Sequence, residues 1–423
     1  MSREGHGERA ESFGDTDMTS GTLIDAGMAK VRGLVDWTMT GDLRHRIMAL
    51  ILIGCLLYGM TIALDALVLR PFFGNVLSEP TDLDFYRFRA ESILDGKIPY
   101  VDFYSESPPL IMYMFVLPQL VGGSALAYQL YFAVFSILTS LTLYLGLRRH
   151  DERMAMMAGI AYLAYPLSLM EFGIGVQDEA ITTFLFLLPL VLLHLERGWS
   201  SGVTSLVGVL TKMFNVLLVP WMFLSSDRRN RVAILIGFIG LAMLVLLPLV
   251  ILFPDQLPSF HYYLLGNPDY PTGGSSISPW HYLNALGLGL PGWAGVALTL
   301  SGVGGATLLA YKRKLSLWQG ATLVMMVFFL VYPKILLVYF VMPTALLMMW
   351  GLEDRKVMLR LLAIILPLFL SVAVTGNGMA PLFDGPWVWV IGMALSLVAW
   401  GIMLQTWWTI RDRKVFFERD KLC

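Results

Sequence analysis

Asp82 and Asp84 stand two residues apart beyond the first long apolar run, and a single lysine, Lys212, interrupts a later one. A carboxylate at the edge of an apolar segment can take a proton from an attacking hydroxyl. An ammonium within such a segment is expensive when unpaired. Lys212 therefore marks either a site for an anion such as a phosphate, or an ion pair that snorkels to the interface. Arg70 and Lys334, at the ends of other apolar runs, suit the same anion or a plain interfacial anchor. Asp178 and Glu179 precede a further apolar run and suit either a divalent cation shared with Asp82 or the N-cap of the following helix. Proton transfer beside anion stabilisation is the chemistry these residue types allow, once a fold brings them together.

The elements available to do so are membrane helices. Of the 423 residues, 57% are hydrophobic and 14% charged, against about 25% charged in a typical soluble domain. The mean hydropathy is +0.67. Apolar runs of near-spanning length alternate with short charged clusters, which defines an all-α polytopic membrane protein. A soluble enzyme, a nucleic-acid binder and a secreted disulfide scaffold are excluded. The two cysteines, Cys55 and Cys423, support neither a disulfide framework nor a metal–thiolate site, and Cys423 is not placed for prenylation.

Charge sets the expected topology. Residues 1–46 are rich in acids, bases and small polar residues and read as a disordered cytoplasmic tail. The first apolar run starts near Ile47, so no cleavable signal peptide is expected. Arg44, His45 and Arg46 put the N-terminus inside. Twelve spans then keep the basic clusters at 148–153, 228–231, 312–314 and 353–356, and the 411–423 tail, on the cytoplasmic side. They cover residues 47–69, 124–147, 154–170, 180–195, two short helices within 198–225, 232–253, 291–311, 315–332, 335–350, 357–374 and 387–410. Residues 109–121 are too short to cross and read as interfacial or re-entrant. The pair within 198–225 is expected to meet near Thr211 and Lys212 at the outer side. The core therefore spans 47–410, with a first outer loop at 70–123 and a fourth at 254–290. Asp65, near the outer end of span one, has no evident partner in the sequence.

The first outer loop holds a helix over 83–95, with Thr81 or Asp82 as its N-cap and Gly96 as its stop. Asp82 opens it, followed by Tyr86, Ala90, Gly96-Lys97-Ile98-Pro99-Tyr100 and Glu106-Ser107-Pro108-Pro109. This order resembles the GT-C superfamily of multispanning glycosyltransferases that use polyprenyl-phosphate sugars. There, a catalytic acid, a Tyr and an Ala on a juxtamembrane helix precede a G-x-x-P-Y turn and an acidic-Pro-Pro segment. The Asp-Leu-x-x-Tyr opening is most similar to the mannosyltransferase-like family 87. Gly175-Val176-Gln177-Asp178-Glu179 resembles the family's second outer loop, and Leu210-Thr211-Lys212 the end of its small-residue helix. Tyr332-Pro333-Lys334 with Tyr339 resembles a late basic element.

The resemblance implies a GT-C fold with a juxtamembrane-helix first loop, working from the outer face of the cell membrane. It implies transfer, with inversion, of a hexose such as mannose from a polyprenyl- or dolichyl-phosphate donor to a surface glycan or glycolipid. Asp82 would be the base, with Asp84 as the alternative or supporting acid. Lys212, Lys334 and Arg70 would face the donor phosphate. Asp178, Glu179, Glu106 and Tyr86 would surround the acceptor or a divalent cation; no other cofactor is implied. His261 and His281 lie among Tyr262, Tyr263, Asn267, Asp269 and Trp280, which suit a sugar surface or an interfacial aromatic belt. Twelve spans with both ends inside also fit a secondary transporter, or a flippase or polymerase for lipid-linked glycans. Unlike a transporter, the two halves differ and the acids gather in outer loops rather than at the bilayer midplane.

Overall fold

The structure, a computed structural model, describes residues 33–73, 81–105, 107–252, 254, 276–289, 291–375 and 387–419. The chain divides into two compact units, Met1–Ala49 and Leu50–Cys423. In the first, Asp42 Oδ1 accepts the His45 backbone N–H at 2.9 Å, and this cap starts the helix four residues before the expected Ile47.

Among the described residues every regular element is helical, and Pro99–Phe103 form one isolated bridge. Helix α1 (Leu43–Leu64) passes through a π turn (Asp65–Leu69) into α2 (Arg70–Phe73). The juxtamembrane segment supplies α3 (Thr81–Leu94), α4 (Pro109–Met114) and α5 (Val116–Leu120). Then follow α6 (Ala125–Leu147), α7 (Glu152–Leu163), α8 (Pro166–Gly173), α9 (Glu179–His194) and α10 (Gly198–Thr211). A 3-10 turn (Met213–Leu218) leads to α11 (Val219–Ser225), α12 (Arg228–Leu252), α13 (Pro279–Ala285), α14 (Gly292–Lys312) and α15 (Leu317–Val331). A second 3-10 turn (Leu337–Phe340) opens α16 (Val341–Gly351), α17 (Arg355–Ala363), α18 (Ile365–Val374), α19 (Trp387–Ile410) and α20 (Phe416–Arg419).

Six of these are long and apolar enough to cross a membrane: Leu43–Phe72, Ala125–Leu147, Arg228–Leu252, Trp293–Lys312, Arg355–Val374 and Trp387–Ile410. Span three, expected as one rod over 154–170, is instead α7 and α8 bent by 47°. Pro166 cannot donate to the preceding turn, which ends α7 there. Shorter apolar helices occupy the 109–121 segment and the expected spans at 180–195, 315–332 and 335–350, and α10 with Met213–Ser225 covers 198–225. Helices α9, α15 and α16 are buried nearly all round and form the core. Helix α12 keeps much of its apolar surface outward, as a lipid-facing helix does.

One close helix contact bears on the site, and one return of the chain covers the other end of the bundle. Helices α10 and α12 pack backbone to backbone, because a Cβ at Gly202 would collide with the Ile234 carbonyl and one at Gly237 with the Trp199 carbonyl. At the opposite end of the bundle, residues 411–419, expected as a tail, fold back onto the core. Gln319 Nε2 donates to the Arg411 and Arg413 carbonyls at 3.0 Å, Trp350 Nε1 to Arg413 at 2.8 Å, and Phe417 is fully buried edge-on to Trp318.

Candidate active site at one end of the helix bundle

Lys212 is the centre of the site. Helix α10 ends at Thr211, and Lys212 is extended (φ −153°, ψ 126°) before the 3-10 turn, so the break falls where the two short helices were expected to meet. The Asn215 side-chain amide braces it by donating to the Gly208 carbonyl at 3.0 Å and the Lys212 carbonyl at 3.3 Å. The buried Lys212 Nζ donates to Asp178 Oδ1 at 2.9 Å and to Glu179 Oε1. It also lies 5.3 Å from the Tyr339 ring centroid, an aromatic face that favours a cation.

The two acids arrive on the loop between α8 and α9. Asp178 occupies the N-cap position of α9, but its side chain makes no capping bond, because its carboxylate goes to Lys212 instead. Glu179 is the first residue of α9, where the helix dipole favours a negative charge. Its Oε2 is buried with no hydrogen-bond partner among the described residues, as are Thr182 Oγ1 and Thr183 Oγ1 one turn further on. These three buried polar atoms lie within the first turns of α9. Of the two alternatives for these acids, a divalent cation would compete with the Lys212 ammonium bonded to both carboxylates, and no three metal-ligating side chains converge among the described residues.

The juxtamembrane helix reaches the site through Tyr86. Asp82, Tyr86 and Ala90 recur at i, i+4 and i+8, on one face of α3. Tyr86 and Ala90 are buried, Asp82 is half-buried, and the Tyr86 hydroxyl accepts the Asp178 backbone N–H at 3.3 Å. Burial first, then the charges of Asp178, Asp82 and Glu179, hold the Tyr86 hydroxyl well above its ordinary range, while Lys212 works in the opposite direction. Asp82 lies within electrostatic reach of Glu179 as well. Asp84 points elsewhere. Its side chain is 80% exposed and pairs with Arg87 at 3.4 Å, as expected for a helix-surface acid.

Helix α3 is held firmly. Tyr86 stacks on Phe115 with centroids 4.3 Å apart, Arg87 Nε donates to the Gly123 carbonyl at 2.7 Å, and Gln119 Nε2 donates to Glu91 Oε1 at 2.9 Å. Gly96 stops the helix at φ 81°, with its N–H on the Ile93 carbonyl and the Lys97 N–H on that of Ser92. In the turn that follows, the Tyr100 hydroxyl donates to the Ser107 carbonyl at 2.6 Å.

An aromatic wall stands beside Lys212. Tyr339 packs edge-on to Phe214 at 4.7 Å, and Phe214 meets Tyr332 at 6.0 Å. Lys334 is exposed in the turn between these tyrosines, and Ser276–Trp280 seal that turn. Ser278 Oγ donates to the Tyr332 carbonyl at 2.9 Å and Trp280 Nε1 to Leu330 at 3.0 Å.

Other expected residues have partners of their own. Arg70 is engaged by Asp65 at 2.8 Å, an ion pair within the continuous run of helix from α1 to α2. His281 is buried on α13, edge-on to Tyr282 and Trp389, and burial lowers its imidazole below the ordinary value. His281 thus belongs to the packing of α13 on α19. Glu106 and His261 fall outside the described residues. Unforeseen were Phe214, Asn215 and the buried hydroxyls of Thr182 and Thr183. A buried Asn one turn after a lone buried Lys was a usable signal.

No curated protein matches the chain. The profile of glycosyltransferase family 87 matches residues 107–333, just over half of the sequence, and takes in Asp178, Glu179 and Lys212. The chain belongs to glycosyltransferase family 87, a GT-C type family of polyprenyl-phosphate-sugar-dependent membrane enzymes.

Proposed function

We propose that this glycosyltransferase moves a hexose, mannose being the first candidate, from a polyprenyl- or dolichyl-phosphate donor to a surface glycan or glycolipid. The observation that carries the reading is the buried Lys212, fixed by Asp178 and Glu179 beneath the Asp82–Tyr86 face of α3. Asp82 takes the proton of the acceptor hydroxyl as its oxygen attacks the anomeric carbon. The bond from that carbon to the phosphate oxygen breaks, and the polyprenyl phosphate leaves with the electron pair. Lys212, with Lys334 at the rim, supplies positive charge as the phosphate acquires it. Attack opposite the leaving group inverts the anomeric centre. Glu179 and Asp178, rich in acceptor oxygens, face the hydroxyls of the acceptor sugar, with the tyrosines of the aromatic wall beside them.

The positive-inside rule supports an extracytoplasmic site in the cell membrane with both termini cytoplasmic, because the clusters at 148–153, 228–231 and 312–314 occupy the opposite helix ends. The transporter alternative is set aside by the family. Mass spectrometry of surface glycans and lipid-linked intermediates from cells lacking the protein tests the reading. A glycan short by one hexose, restored by the wild-type protein, names the sugar and acceptor together. Unchanged glycans, with the donor equally unconsumed by purified protein, contradict it.

A further inference from the structure

Asp65 is a carboxylate with 2% exposure near the end of the first span, and the transfer chemistry above makes no use of it. A charge in such a place persists only when it is paired and useful. Its pairing depends on a backbone irregularity. In an α-helix, residues i and i+5 point well apart, but α1 opens into a π turn at Asp65–Leu69 whose Arg70 N–H bonds the Asp65 carbonyl. The wider turn brings Arg70 over Asp65, and Arg70 Nε donates to Asp65 Oδ2 at 2.8 Å. The same carboxylate oxygen accepts from the Gln129 side-chain amide of α6 at 2.8 Å. The other bond of that amide nitrogen runs to the Gly173 carbonyl at 2.7 Å. A primary amide has two N–H donors, and both are committed here.

Gly173 is the last residue of α8, and a Cβ there would strike the Thr61 side chain on α1. From Gly173 only a few residues lead to Asp178 and Glu179, and they are tightly held. Gly175 N–H bonds Met170, Gln177 N–H bonds Glu171, and the fully buried Val176 sits at φ 52°. A β-branched residue in the left-handed region is retained only where its surroundings over-determine it. Displacement of Gly173 is therefore passed along this link to the acids rather than absorbed by it.

We propose that Asp65, Arg70 and Gln129 are positioning residues that fix the end of α8, and through it the placement of Asp178 and Glu179 around Lys212. This rests on the assignment of that cluster to the transfer site. An apolar filler would stabilise the helices as well as a buried ion pair does, so the hydrogen-bonded node is kept for geometry. Misplacing Lys212 weakens an interaction that grows as the phosphate leaves, and so lowers kcat more than it alters donor KM.

The test uses the purified full chain, the labelled polyprenyl-phosphate hexose that the wild-type protein consumes (mannose first), and lipid extract from cells lacking the protein as acceptor. Gln129→Leu is expected to lower kcat about tenfold or more, with donor KM within about twofold. Asp65→Leu does the same, and the double variant is no worse than either single, since the two act as a unit. Asp65→Asn, whose amide oxygen still accepts from Gln129, retains most of the activity. Wild-type kcat in Gln129→Leu, or losses that multiply in the double variant, overturn the proposal. Where the leucine variants do not purify folded, Asp65→Asn decides, and a loss as large as that of Asp82→Asn overturns it. Asp82→Asn also separates the two readings. If it keeps wild-type transfer the site assignment fails, whereas an inactive Asp82→Asn beside fully active Gln129→Leu and Asp65→Leu removes the positioning proposal alone.

Discussion

Lys212 donates to Asp178 Oδ1 at 2.9 Å across 34 residues of sequence, joining the end of one short buried helix to the start of its antiparallel neighbour. Both side chains are nearly withdrawn from solvent. The pair thus fixes where two helix ends meet and leaves a concentrated set of charges at that point.

Replacing Lys212 by Met strands two buried carboxylates. Breaking a buried pair in this way costs about 3–5 kcal/mol, so the melting temperature in detergent falls. Transfer falls by about a hundredfold or more, as for loss of a group that stabilises a developing anion. Adding Asp178→Asn and Glu179→Gln removes the stranded charges. The triple variant is expected to regain stability and not activity, which separates the two roles of the lysine.

Asp84→Asn is expected to leave transfer within about twofold of wild type and to change stability by less than about 1 kcal/mol, since its pair with Arg87 is at the surface. Rate and thermal-melt measurements on the one variant check both.

Much of this was legible beforehand and some was not, for reasons of geometry. Local spacing carries the phase of a helix, so Asp82, Tyr86 and Ala90 could be placed on one face, which leaves Asp84 on another. Keeping the basic cluster at 228–231 inside announced the break after α10. Partners across helices are not written in local periodicity. The engagement of Arg70 with Asp65 could not be read beforehand, because it depends on a π turn that no residue spacing signals. The return of residues 411–419 to the core was hidden by their charge, although Phe417 was the residue that could anchor it.

Gly202→Ala tests how the lysine is held in place. The new methyl would meet the Ile234 carbonyl, which is backbone and cannot swing aside. Helix α10 must then move off α12, at about 1–3 kcal/mol for an overpacked contact. Because α10 ends at Lys212, activity should drop together with thermal stability, whereas Gly240→Ala on α12, with open space at its Cβ, should change neither.

The buried tyrosines set an alkaline limit to stability. Burial chiefly raises the Tyr86 and Tyr100 hydroxyls above the ordinary value of 10.0. A raised value in the folded state means that stability is fully present below pH 10 and is lost as pH rises past it, because the unfolded chain ionises and the folded chain does not. Each such tyrosine steepens the loss by about 1.4 kcal/mol per pH unit. Tyr86→Phe should be less stable at neutral pH, since the Asp178 N–H loses its acceptor. Its stability should decline less steeply above pH 10, as followed by thermal melts across that range.

The most direct test is the transfer rate of Asp82→Asn in purified full-length protein, measured with the polyprenyl-phosphate hexose that the wild type consumes. The substitution keeps the shape of the side chain and removes its ability to take a proton. The expected result is a loss of about a hundredfold or more in kcat, with donor binding retained and an unchanged melting temperature. Transfer at the wild-type rate would contradict the assignment of Asp82 as the base.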